Sequence, residues 1–225
     1  MTETSYLHSV RASYDAVAVD YARLLGPALA GKPLDRAMLA AFAECVRGDG
    51  RGGAVADLGC GPGRVTAHLD GLGVRAFGVD LSPAMVAVAR RSYPGLRFEV
   101  GPMAALDVAD GVLGGVLAWY ATVHTPPGEL PDAFAEFTRV LAPGGYALTA
   151  FEAGDERRRL EHAYGRPVDL DVYRTPPALI AALLTEAGLT EVARLVREPD
   201  ADEDAPQAFL LFRKPTTAPE GGLVL

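Results

Sequence analysis

The residues best suited to chemistry fall in one short run, Asp57-Leu58-Gly59-Cys60-Gly61-Pro62-Gly63, between an apolar segment and a helix-compatible stretch. Glycines at alternate positions permit a tight turn and let a ligand touch backbone N–H groups. Such loops serve dinucleotides, phosphates and plain turns alike, so the surrounding residues must discriminate. A dinucleotide fingerprint needs its third glycine three residues after Gly61, where Arg64 stands. A P-loop ends in lysine followed by serine or threonine, and no such pair follows Gly63. Asp57, two residues before the first glycine, would repel a pyrophosphate and suits a ligand with a positive group.

A second acid, Asp80, lies 17 residues beyond Gly63 at the end of the next apolar run. A carboxylate there can accept both ribose hydroxyls of a nucleoside. Taken singly, Asp57 also reads as a turn residue and Asp80 as a cap for a helix opening at Ser82. Together with the glycine loop they predict a nucleoside with a cationic amino-acid end. S-adenosylmethionine has that form: its ammonium would meet the Asp57 region, its carboxylate the following helix N-terminus, and its ribose Asp80.

Displacement at a carbon bound to a sulfonium is accelerated by holding the nucleophile close and excluding water, so a dedicated base is dispensable. A hydroxyl acceptor must nevertheless lose a proton, a task suited to histidine near neutral pH. Of His8, His68, His124 and His162, the first candidate for base or substrate contact is His124. It follows the fourth apolar run in Trp119-Tyr120-Ala121-Thr122-Val123-His124, at the sheet edge where open α/β folds place ligands. The alternative is that it only shapes the loop through a backbone hydrogen bond. His162 is a second candidate, and His68 reads as structural. Trp119, Tyr120, Tyr164, Tyr173 and Arg174 complete the candidate substrate contacts. Arg174 would pair an acceptor carboxylate or phosphate unless Glu152 or Asp171 occupies it.

The elements that must position these groups alternate along the chain. Residues 5–48 are helical, with Tyr6, Val10, Tyr14, Val17, Tyr21 and Leu24 at spacings of three and four and a second helix from Pro33. Strands are expected at 54–58, 75–79, 96–101, 112–119 and 146–151, with helices at 62–72, from 83 and at 130–141, the last stopped by Pro143-Gly144-Gly145. Residues 152–175 form a second piece of lid without assigned elements, and Arg157, Arg158 and Arg159 are expected on a solvated helix face. A helix at 176–187 precedes strands 189–197 and 208–213, which pair antiparallel. This order predicts an open, mainly parallel α/β sheet. The domain layout is a helical cap at 1–50, an α/β domain at 51–214 with the lid insertion 152–175, and a loose tail at 215–225.

The chain has 225 residues, enough to bury roughly 70 to 75% of the unfolded chain's surface without a disulfide or structural metal. Two cysteines, Cys45 and Cys60, exclude a disulfide framework and a zinc cluster, fit a reducing cytoplasm, and leave no metal expected. The net charge of −8 opposes a nucleic-acid backbone. No stretch approaches ~18 uninterrupted apolar residues, so no membrane role is expected. Only Lys32 and Lys214 among 21 basic residues are lysine, a bias compatible with a GC-rich bacterial genome and specialised metabolism.

The glycine run, Asp80-Leu81-Ser82-Pro83 and Leu141-Ala142-Pro143-Gly144-Gly145 together resemble class I S-adenosylmethionine-dependent methyltransferases, over almost the whole chain. Tyr14-Asp15-Ala16-Val17-Ala18-Val19-Asp20-Tyr21-Ala22 resembles the cap helix of the small-molecule group, whose tyrosines close over the cofactor. The resemblance implies a Rossmann-like sheet of seven strands, the last antiparallel, with helices on both faces and an N-terminal helical cap. It implies cofactor contacts at Tyr14, Tyr21, Asp57, Gly59, Gly61, Gly63, Asp80, Leu81, Met85 and Ala118. Gly101, Pro102, Met103 and Ala104 would border the adenine, where many relatives carry an acid. The implied activity is methylation of oxygen, nitrogen or carbon in a small metabolite by a monomer or homodimer. A noncatalytic S-adenosylmethionine-binding partner is the alternative, and a nicotinamide-dependent oxidoreductase, disfavoured by Asp57 and Arg64, is a third reading.

Overall fold

Apolar runs of five to seven residues, too short for helices and closed by Gly or Asp, become strands buried on both faces. The computed structural model describes residues 5–26, 28–48 and 53–216. After two N-terminal helices, α1 (Ser5–Leu25) and α2 (Pro33–Gly48), the chain alternates β1 (Ala54–Leu58), α3 (Arg64–Gly71), β2 (Ala76–Asp80), α4 (Pro83–Ser92) and β3 (Arg97–Val100). Then follow β4 (Leu113–Trp119), α5 (Leu130–Val140), β5 (Leu141–Glu152), a hairpin of β6 (Glu156–Ala163) and β7 (Arg166–Arg174), α6 (Pro177–Glu186), β8 (Thr190–Arg197) and β9 (Gln207–Arg213).

The main sheet has seven strands in the order β3-β2-β1-β4-β5-β9-β8. β3, β2, β1, β4 and β5 are parallel, and β9, the last in sequence, runs antiparallel between β5 and β8. The expected sheet is therefore present. Its strand order reverses between β1 and β4, the point at which an open α/β sheet opens a crevice at its carboxyl edge.

Each strand feeds two cores by alternation. In β9, Phe209 and Leu211 pack with Leu39, Phe42, Leu69 and Trp119 on the α2–α3 face. Ala208, Leu210 and Phe212 pack with Phe134, Phe137, Ile180 and Leu184 on the α5–α6 face. α4 makes a smaller core with β3 through Val86, Ala89 and Phe98. α1 lies outside these layers and packs Val17 and Ala18 against Met85 and Val88 of α4.

Two expectations need correction. β5 starts directly after α5 at Leu141, so Pro143-Gly144-Gly145 is an irregularity inside the strand and not a stop before it. Gly144 adopts φ 85°, and the Lys214 carbonyl accepts from its amide while Lys214 donates to the Gly145 carbonyl, which holds the extra residues in the sheet. Residues 156–174 form a β-hairpin, and the arginine run lies on its first strand. Period-two alternation sends Arg157 and Arg159 to Asp171, and Arg158 the other way to Asp204. The sequence hides this hairpin because its faces are charged and its turn is Tyr164-Gly165, with φ 52° and 77°, where Asn-Gly is usual. The cap and domain bounds at residues 50 and 51, and the expected tail from residue 217 on, lie outside the described residues.

Candidate active site

The glycine loop leaves β1 at the carboxyl edge of the sheet. Gly59, Gly61 and Gly63 have φ of 65°, 54° and 84°, in the left-handed region. A Cβ on Gly59 would stand 2.6 Å from that of Ala121, and one on Gly63 2.7 Å from the Phe98 ring. Two glycines therefore serve close packing as well as the turn. Asp57 is buried beneath the loop, where its Oδ2 accepts from the Thr66 hydroxyl at 2.6 Å. Burial outweighs that bond and raises its pKa to about 7. Its side chain is turned toward Thr66 and lies on neither cavity described below.

Asp80 ends β2, and its carboxylate accepts from the Gly61 amide at 2.7 Å and the Ser82 amide at 2.8 Å. Burial raises its pKa to about 6 against those two bonds. Each carboxylate oxygen keeps a further lone pair. Asp80 borders a cavity of about 780 Å³ whose walls include Gly59, Leu81, Pro102, Met103 and Ala104. Over it, α1 is tied to α4 by Asp15, whose Oδ1 accepts from the Ser82 hydroxyl at 2.6 Å and the Ala84 amide at 3.0 Å. Ser82 Oγ in turn caps α4 by accepting from the Met85 amide.

Next to this cavity lies a half-buried aromatic cluster. Tyr14 stands edge-on to Tyr21 and to His124, and Tyr21 edge-on to Tyr164 at the hairpin turn. His124 Nδ1 lies 2.7 Å from the Asp171 carbonyl of β7, and Nε2 lies 2.8 Å from the Tyr14 hydroxyl. A carbonyl only accepts, so Nδ1 carries a proton. Burial lowers the ring's pKa, which favours the neutral form and leaves Nε2 to accept from Tyr14. The backbone contact expected as the alternative role of His124 is thus present, and it fixes the tautomer in which Nε2 is the basic nitrogen, bonded to Tyr14; His124 itself lines neither cavity. Burial likewise raises the Tyr14 and Tyr21 hydroxyls, with the Arg64 guanidinium opposing the rise at Tyr21.

Residues 55–145 match the family model of the methyltransferase domain. Over that stretch the chain resembles a methyltransferase domain. It is similar to demethylmenaquinone methyltransferase of Chlorobaculum parvum, 34% identical over 41% of this chain and 38% of that protein. It is also similar to trans-aconitate 2-methyltransferase of Delftia acidovorans, 34% identical over 51% of this chain and 42% of that one. The chain thus spans less than half the length of these curated relatives. Among solved structures, the 1,6-didemethyltoxoflavin-N1-methyltransferase of Burkholderia thailandensis, with bound S-adenosylhomocysteine, shares the fold at TM-score 0.68 and 22% identity, over 96% of this chain and 93% of that one. Magnesium protoporphyrin IX methyltransferase from Synechocystis does so at 0.70 and 15%, over 95% and 99%.

The remaining candidates separate into groups. Trp119, Tyr120 and Tyr164 line a second cavity of about 320 Å³. Met85 and Ala118 are buried in the cores below the site. His162 is exposed on β6, opposite Pro167, and borders neither cavity. Tyr173 lies under the Arg157 guanidinium at 6.0 Å. Arg174 is consumed by Glu152 at 2.9 Å and by Glu156 and Asp204, so the alternative foreseen for it, occupation by Glu152, is the one present. His68 is half-buried on α3, its buried Nε2 without a hydrogen-bond partner among the described residues. Sequence reasoning missed Thr66, Asp15 and the cavity-facing role of Glu152, none of which has a local spacing signal. Among the described residues no helix is long and apolar enough to cross a membrane.

Proposed function

We propose that this domain methylates a small-molecule acceptor in the cytoplasm, with the first cavity as the seat of S-adenosylmethionine. The observation that carries the reading is Asp80, a buried carboxylate with free lone pairs at the end of β2, bordering a cavity whose far wall is Gly101 to Ala105. The residues fit the cofactor: Asp80 would hold the ribose diol, Leu81 and Met103 would flank the base, and the glycine loop with the start of α3 would meet the amino-acid end. When bound, the cofactor supplies a methyl group on a sulfonium. Tyr14, Tyr21 and Tyr164 would exclude water from that end, and His124 Nε2 would receive the proton of a hydroxyl acceptor through the Tyr14 hydroxyl. This pairing of a base with a fixed tautomer favours an enzyme over a noncatalytic binding module.

Calorimetric titration with S-adenosylmethionine, S-adenosylhomocysteine and NAD tests the site. Saturable binding of the two adenosyl ligands alone supports it, and binding of NAD alone overturns it. Release of S-adenosylhomocysteine in an acceptor screen then separates the enzyme from the binding module.

A further inference from the structure

The second cavity has a chemical character of its own. Its aromatic walls are Trp119 and Tyr120, at the exit of β4, and Tyr164 from the hairpin turn. Ala121, the residue after Tyr120, packs against Gly59, so this cavity adjoins the glycine loop from the β4 side. Its volume, about 320 Å³, fits a compact ligand.

The polar lining is mainly acidic, with Glu152 its central member. Glu152 ends β5 and gives Oε2 to Arg174, whereas Oε1 has no partner among the described residues. Its charge acts on His124, Tyr120 and Tyr164, so it lies near the candidate base as well as on the cavity wall. Asp35, Asp202, Glu203 and Asp204 also line the space. Their partners Arg158, Arg174 and Arg197 do not line it. Of the two lining cations, Lys32 is held by Asp200, Asp202 and Glu203 at 2.7 to 2.9 Å, and Arg64 sits at the start of α3 beside Tyr21.

We propose that the second cavity seats a positively charged group of the methyl acceptor, with Glu152 Oε1 as its counter-ion and the Tyr120 and Tyr164 rings beside it. Aromatic faces and a carboxylate attract the same cation by independent means. The carboxylate also offsets repulsion between a cationic acceptor and a sulfonium. This inference rests on the reading of the first cavity as the cofactor site.

The test is calorimetry on the whole chain saturated with S-adenosylhomocysteine, using three probes of matched shape: tyramine, 4-ethylphenol and 3-(4-hydroxyphenyl)propionate. Tyramine is expected to bind at least about tenfold more tightly than the other two. Glu152→Gln, which retains an oxygen for Arg174, is expected to abolish that preference while S-adenosylhomocysteine affinity stays within about twofold. Equal or better binding of the neutral or anionic probe, survival of the preference in Glu152→Gln, or failure of all three to bind overturns the proposal. Should the variant fold poorly, the salt dependence of tyramine binding to the unaltered protein decides: affinity falling with ionic strength supports the counter-ion, and indifference to salt removes it. Loss of S-adenosylhomocysteine binding would instead sink the cofactor reading, and titration of tyramine without it would still report on the second cavity.

Discussion

Asp80 is costly to bury as an anion, and two backbone amides hold it in place at the rim of the first cavity. Asn at this position keeps the shape and loses the charge. Because hydrogen bonds to charged groups contribute about 1.5–3 kcal/mol each, Asp80→Asn should weaken S-adenosylmethionine binding by about tenfold or more. Calorimetry checks this, with an unchanged circular dichroism spectrum showing that the fold persists. At His124 the prediction concerns rate. Removing a general base costs about 10²- to 10⁴-fold, so His124→Ala should lower kcat by that order for a hydroxyl acceptor and leave cofactor affinity unchanged. Burial lowers the His124 pKa, so the acid limb of the kcat/KM profile should fall below the ordinary histidine value of about 6.5. Full activity of the alanine variant across pH would leave His124 only its hydrogen bond to Asp171.

The helix α1 carries Tyr14 and Tyr21, and its placement depends on few polar ties. Asp15 bridges it to the cap of α4 through Ser82 and Ala84. On the other side, Asp169 of β7 donates its amide to Ser13 Oγ at 2.9 Å, and Arg166 pairs with Asp20. An isolated two-stranded hairpin is marginal in water, so β6–β7 depends on this contact as much as α1 does. Asp15→Ala should remove about 1 kcal/mol of capping and tethering. Hydrogen exchange would then quicken in α1 and in β6–β7 while the seven-stranded sheet stays protected. Uniform quickening across the sheet would mean that α1 is not a separable layer.

For the whole molecule, buried and paired carboxylates pull stability in opposite directions with pH. Asp57 is raised to about 7, so between about pH 4 and 7 the folded chain binds more protons than the unfolded one, and this group's contribution falls as pH rises through that window. Glu203, bound by Arg197 and Lys32, is lowered to about 2. Its contribution is complete above the ordinary glutamate value of about 4.3 and is lost as pH falls toward 2. Asp57→Asn should therefore flatten the decline in Tm between mildly acidic and neutral pH, leaving the loss at strongly acidic pH intact. A thermal-shift series across pH checks both limbs.

The seven-stranded sheet, its two helical faces and the glycine turn were legible because each is encoded locally. Strands 54–58 and 112–119 are apolar runs with glycine or aspartate at their ends, α4 is announced by Ser82-Pro83, and only glycine suits the positive φ at 59, 61 and 63. The hairpin escaped notice because it buries little apolar surface and its strands are held by arginine–carboxylate pairs. A one-dimensional pattern records which face of an element is buried, not which distant group it meets. Sequence alone thus determined the sheet, the loop and Asp80 at its edge. Only tertiary structure decided that Tyr14 meets His124 across 110 residues, that the Asp171 carbonyl fixes its tautomer, and that Arg174 is consumed while Glu152 Oε1 has no partner among the described residues. Those contacts depend on how α1 and the hairpin dock over the sheet, and docking is set by packing between elements far apart in the chain.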